Sequence, residues 1–160
     1  MFTRFALFLL LAAVLCPADT QAQRFDLTVT GLPLTFPSPT GGDFAAGYIE
    51  SATPTTFTVD AATGPNGTRR TYVYVRCGSP CAAAGSRPVG TLQWRRSDQS
   101  TWNSLTTTNT LVEWRTVRRN SVNDPWGNSI VWRYLLDWDA DLPGAMSRYN
   151  VVFTVTVTTP

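Results

Sequence analysis

The sequence predicts an all-β fold, an antiparallel β-sandwich of about seven or eight strands, on three observations. Apolar and polar residues alternate at period two in every informative stretch. Clusters of Pro, Gly, Asn and Ser fall between these stretches at hairpin-like spacing. No segment after residue 22 carries the apolar period of an amphipathic helix.

Taken in order, Phe25, Leu27 and Val29 alternate with Asp26, Thr28 and Thr30. Thr56–Val59 and Tyr72–Val75 repeat the pattern. A longer strand is expected from Ile130 to Trp138, with Ile130, Trp132, Tyr134, Leu136 and Trp138 on one side, so that Trp132 and Trp138 join the core. The clearest run closes the chain. Tyr149, Val151, Phe153, Val155 and Val157 share one face, and Asn150, Val152, Thr154, Thr156 and Thr158 the other. Val, Thr and aromatic side chains suit a pleated surface with one buried face. Turn signals lie at Ser38–Gly42, Gly64–Gly67, Gly78–Pro80, Asn123–Pro125 and Leu142–Gly144. Asn66-Gly67 reads as a hairpin pair, since both residues tolerate positive φ.

Residues 1–22 have the form of a secretory signal peptide: Arg4, an apolar run from Phe5 to Leu15, and the small-x-small site Thr20-Gln21-Ala22. That run is shorter than the roughly 20 residues of a spanning helix. Leu15 stands where a lipidated Cys16 would need a small residue. The expectation is therefore export, cleavage near Gln23, and one mature domain over 23–160 that does not span a membrane. It would be secreted, periplasmic or on the cell surface. Removal of Cys16 leaves Cys77 and Cys81, read as a local disulfide around a bend made by Gly78 and Pro80. Such a short closure contributes about 2–3 kcal/mol. Zinc needs four ligands, and no other Cys or His is available in the mature chain.

The segment Leu32-Pro33-Leu34-Thr35-Phe36 before a Pro/Gly-rich turn resembles the opening strand of bacterial spore-coat-U-like and pilin-like secreted β-sandwich proteins. The segment Asp141–Tyr149, with Pro143-Gly144, running into Val151–Val157, is similar to their last turn and strand. The resemblance covers the two ends of the mature chain. It implies an Ig-like sandwich and a role in surface appendages or coats. Two features depart from it: the cysteine pair is local instead of joining distant strands, and the chain ends Thr158-Thr159-Pro160 without a penultimate tyrosine.

The composition excludes much catalytic chemistry. All 13 basic residues are arginines, and there is no histidine. Imidazole bases, histidine-activated nucleophiles, lysine Schiff bases and P-loop clamps are thus absent. No enzyme and no cofactor is expected. Residues 69–119 hold nine arginines against Asp98 and Glu113, a balance of +7 between acidic flanks. An arginine-rich stretch of this kind suits an anionic polymer or a neighbouring copy, or else pairs within the fold. Trp102 and Trp126 lie in turn-like contexts and are candidate sugar-stacking rings, with Arg95, Arg96, Arg118 and Arg119 as candidate partners. Asp137, Asp139 and Asp141 alternate as calcium ligands do, yet Leu142 and Arg148 stand where an EF-hand loop has Gly and Glu; no metal is assigned. Phe25–Val29 either pairs within its own sheet or completes a neighbour's. Together these readings lead to a noncatalytic structural or adhesive protein of the bacterial envelope or surface. It would self-assemble or contact other envelope proteins. The alternative is a secreted carbohydrate-binding module for anionic or neutral polysaccharide.

Overall fold

The computed structural model describes residues 24–63, 67–82, 88–119, 125–139, 141 and 148–158. The expected leader and the turn signals at 64–66, 123–124 and 142–144 lie outside the described residues. The chain forms β1 (Arg24–Thr30), β2 (Leu34–Thr35), α1 (Gly41–Ala46), β3 (Tyr48–Glu50), β4 (Thr55–Thr63), β5 (Gly67–Ala82), β6 (Leu92–Arg96), β7 (Asn103–Ser104), β8 (Thr110–Arg119), β9 (Trp126–Leu135) and β10 (Arg148–Thr158). The fold is all-β and antiparallel, in two sheets. The first, sheet A, runs β1-β4-β9-β6-β7, with β3 continuing the β4 edge of β9; the second, sheet B, runs β2-β10-β5-β8. Among the described residues ten strands replace the expected seven or eight, since β2 and β7 are two-residue pairings too short to alternate.

The alternation of β10 holds from Tyr149 to Val155, while Val157 near the strand end is 37% exposed. Tyr149 and Val151 are buried, and Phe153 and Val155 pack against the core. Inward residues of sheet A meet them: Phe57 and Val59 on β4, Leu92 and Trp94 on β6, Ile130, Trp132 and Tyr134 on β9. Phe153 bridges the layers, with its ring 6.2 Å from Phe57 and 6.5 Å from Trp132. Each such ring removes a large apolar area from water, and their near-perpendicular or tilted packing suits the ring quadrupole. β1 pairs with β4 of its own chain, from Arg24↔Thr63 to Thr30↔Thr56. The first segment that carried the family resemblance pairs with the last, Leu34 opposite Tyr149.

Four expectations change. A helix is present, six residues long, announced by its caps and not by periodicity. Thr40 accepts from the Asp43 N–H, the Asp43 carboxylate accepts from the Thr40 N–H at 2.8 Å, and Gly47 closes the helix at φ 78°. The Gly64–Gly67 segment does not join a hairpin, since β4 belongs to sheet A and β5 to sheet B. The strand expected from Ile130 to Trp138 begins earlier and ends at Leu135. It stops because Asp137 and Asp141 close a turn: the Asp141 N–H donates to the Asp137 carbonyl, and the Asp137 N–H to the Asp141 carboxylate at 2.8 Å. Trp138 consequently sits on that turn, 67% exposed, stacked on Phe44 of α1 at 4.4 Å between centroids, and is no core residue.

Cys77 and Cys81 form a disulfide, as the sequence indicated. It lies inside β5, where pairing with β10 jumps from Cys77↔Val151 to Ala82↔Tyr149. The bridge therefore closes the chain that bulges out of the ladder at Gly78–Pro80.

Candidate functional site

Residues at even positions of β5 face away from the core, because Thr71, Val73, Val75 and Cys77 point into it. Arg70, Tyr72, Tyr74 and Arg76 thus line the outer face of sheet B in sequence. The register sets their neighbours. Arg70 lies between Thr116 of β8 and Thr158 of β10, Tyr72 between Trp114 and Thr156, and Tyr74 between Leu111 and Thr154. A bulge makes this grid possible: Val73 faces Glu113, but Tyr74 faces Leu111, so Val112 is the extra residue and turns into the core. Without it Leu111 would share the inward phase of Glu113.

The result is a solvent-facing row of rings. Trp114 is 51% exposed and Leu111 44%. The Trp114 and Tyr72 rings are 6.2 Å apart with an interplanar angle of 28°, and Tyr72 and Tyr74 are 6.4 Å apart at 20°. The Arg70 guanidinium lies 6.0 Å from the Trp114 ring. No carboxylate shares this face among the described residues, and neither Arg70 nor Arg76 has an ion-pair partner among them. An exposed apolar and aromatic cluster rimmed by polar groups is what a contact surface looks like.

The outer face of sheet A holds a second aromatic cluster, and here one expectation finds its place. Trp102 lies 4.3 Å from the Arg133 guanidinium and 5.0 Å from that of Arg95. Arg133 also lies 5.3 Å from the Tyr48 ring and donates to Gln93 Oε1 at 2.8 Å. Arg95 donates to the Gln99 carbonyl at 2.9 Å. Trp102 and Arg95 therefore do come together, but the ring is half-buried and already engaged by cations.

The other candidates separate from that cluster. Trp126 is only 7% exposed, so it is no surface platform. It has the same strand phase as Ile130, Trp132 and Tyr134, and its indole N–H donates to Thr71 Oγ1 at 3.1 Å. Arg96, next to Arg95, points to the opposite side of β6, into the opening between the sheets. There it holds Asp98 through two hydrogen bonds of 2.9 and 2.6 Å and approaches Glu113 at 3.5 Å. Glu113 also accepts from Arg115 Nε at 3.0 Å and from Asn128 Nδ2 at 3.0 Å. The Arg96 hydrogen bonds hold the Asp98 carboxyl below the ordinary carboxylate range, and Asp98 in turn raises the Arg96 guanidinium. Arg118 and Arg119 occupy the last two positions of β8, and their side chains lie outside the described residues. The arginine-rich middle is thus divided among two outer faces and the inter-sheet opening.

The Asp137 and Asp141 carboxylates are engaged internally. Asp141 accepts from the Tyr134 hydroxyl at 2.8 Å and from the Asp137 N–H, while Asp137 accepts from the Asp139 N–H at 3.0 Å. Among the described residues no group of three or more Cys, Asp and Glu side chains converges as metal ligands do. A small pocket of about 20 Å³ between Phe36, Ile49, Tyr134 and Leu136, with Asp141 also on its wall, is the size of one water. No described helix is long and apolar enough to cross a membrane.

Sequence reasoning missed Tyr72, Tyr74, Leu111 and Trp114 as a surface. The available signal was the phase of β5, where Val73 and Val75 claim the core and expose the tyrosines. No family model, curated protein or solved structure matches the chain.

Proposed function

We propose that this chain is an exported, noncatalytic β-sandwich of the Ig-like type that acts as a structural or adhesive component of the bacterial envelope or surface. The observation that carries the reading is the outer face of sheet B, where Trp114, half exposed, extends into a row with Tyr72 and Tyr74. A folded domain gains nothing in stability from exposing such a ring, so the row is best explained by something that covers it. The Ig-like assignment is supported by two antiparallel sheets around one core, with the chain passing repeatedly between them. The noncatalytic assignment is supported by the absence of histidine and lysine from the sequence.

The test is fractionation of cells producing the full chain, together with Trp114→Ser. Retention at the envelope or surface that falls severalfold in the variant, with unchanged circular dichroism, supports the reading. A monomer found free in the medium, indifferent to the substitution, defeats it. The second reading, a carbohydrate-binding module, is favoured by the same rings, because the apolar face of a pyranose packs on an aromatic ring.

A further inference from the structure

We infer that the outer face of sheet B binds an acidic polysaccharide, one whose sugar rings carry carboxylates. The inference rests on the adhesive reading of that face and names its occupant. Three features of the face select this chemistry. The Trp114, Tyr72 and Tyr74 rings provide neighbouring apolar surfaces for pyranose C–H groups. The hydroxyls of the exposed Thr156, Thr158 and Thr116 flank those rings and supply donors and acceptors for sugar hydroxyls.

The charge pattern makes the choice between neutral and acidic polymers. Arg70, 6.0 Å from the Trp114 ring, and Arg76, which donates to the Cys77 carbonyl at 3.4 Å, stand at the two ends of the aromatic run on β5, and no described carboxylate shares their face or pairs with them. Guanidinium meets carboxylate in a two-pronged hydrogen-bonded fork, so a uronate is the natural partner of an arginine that has no carboxylate of its own. Length excludes a single sugar. Six residues along an extended strand separate the two arginines by about 20 Å, a span that only several linked rings would cover. The guanidiniums around Trp102 are held more closely, 4.3 and 5.0 Å from that ring and bonded at 2.8 and 2.9 Å to Gln93 and Gln99, and the ring between them is half-buried.

The experiment uses the exported form of the full chain in affinity electrophoresis and calorimetry. Alginate and polygalacturonate are the acidic probes, and dextran and soluble cellulose oligomers the neutral ones. The expected result is binding of a polyuronate that weakens with added salt. Trp114→Ala, and separately Tyr72→Ala, should weaken it about tenfold. The double variant Arg70→Gln/Arg76→Gln should abolish the preference for acidic over neutral polymer, while Thr58→Ala on the opposite sheet leaves binding unchanged. Near-ultraviolet circular dichroism checks that each variant keeps its packing. Equal binding of neutral polymers, with the arginine variants indifferent, overturns the inference, as does failure to bind any polyuronate. Sedimentation of the same samples separates that failure from failure of the adhesive reading. Self-association lost in Trp114→Ala would keep the adhesive face and make a second copy its occupant. Absence of glycan binding, of self-association and of envelope retention would remove both.

Discussion

Trp126 and Thr71 join the two sheets through a hydrogen bond made entirely inside the core, indole N–H to hydroxyl oxygen at 3.1 Å. Thr71 passes the interaction on, its own hydroxyl donating to the Arg115 carbonyl at 3.1 Å. Outside, the Arg115 guanidinium lies 5.2 Å from the Trp126 ring. One tryptophan thus connects β9 of sheet A to both β5 and β8 of sheet B. Trp132 makes the comparable bond to Thr55 at 2.9 Å, but Thr55 and Trp132 belong to the same sheet. These two indole N–H groups each have a partner, whereas that of the equally buried Trp94 has none among the described residues.

Thr71→Val keeps the shape of the side chain and removes the acceptor. The Trp126 N–H then stays buried without a partner, and unfolding free energy in denaturant should fall by about 1–3 kcal/mol. In a double-mutant cycle, Trp126→Phe should cost less in the Thr71→Val background than in the native one. Additive losses would show that the bond does not couple the sheets.

The two tryptophans 126 and 138 show where the sequence was readable and where it was not. Both have the inward phase of Ile130, Trp132 and Tyr134. What distinguishes them is where the strand begins and ends, and turn chemistry decides that. Pro125 precedes β9 and Trp126 is its first residue, whereas the Asp137–Asp141 turn stops the strand before Trp138. Period two was enough to identify β1, β4 and β10, whose faces it assigned correctly. It could not identify the exposed aromatic face of sheet B, because the bulge at Val112 breaks the phase of β8 and hides the outward pairing of Trp114 and Leu111 with the β5 tyrosines. The division of Arg95 from Arg96 was legible in principle, since adjacent strand residues point to opposite faces.

Glu113 sits at the opening between the sheets, its side chain 9% exposed, and collects Arg96, Arg115 and Asn128. Glu113→Gln retains the shape but not the charge that two guanidiniums share. The expected loss is about 1.5–3 kcal/mol, the range for hydrogen bonds to charged groups, measured by chemical denaturation at pH 7. Asn128→Ala should cost less, because it removes a neutral donor. The reverse ranking would argue that packing, not charge, holds the opening together.

Acid should weaken the same corner in a defined direction. Asp98 is held below the ordinary carboxylate range, chiefly by its hydrogen bonds with Arg96. A carboxyl with a lowered folded-state pKa contributes its stability above the unfolded value and loses it as pH falls through the folded one. The melting temperature of the native chain should therefore drop on acidification through and below the ordinary carboxylate range, and Asp98→Asn should flatten that drop. A carbon-detected titration of Asp98 with its midpoint at or above that of free aspartate would contradict the geometry.

Gly127 tests whether the contact between β4 and β9 has room to spare. It pairs with Thr58, and a methyl group built on it would run into the Phe57 carbonyl, a backbone atom that cannot swing aside. Gly127→Ala must therefore shift one strand against the other beneath Trp126 and Phe57, whose rings meet edge to face at 5.7 Å. Overpacking of this kind costs about 1–3 kcal/mol. The same backbone displacement should perturb the near-ultraviolet signal of the buried tryptophans while leaving Trp114, on the far face of sheet B, unchanged in its accessibility to an aqueous quencher. A variant as stable as the native chain would mean that the two strands adjust freely at this point. The Trp126–Thr71 bond would then bridge layers that are not rigidly registered.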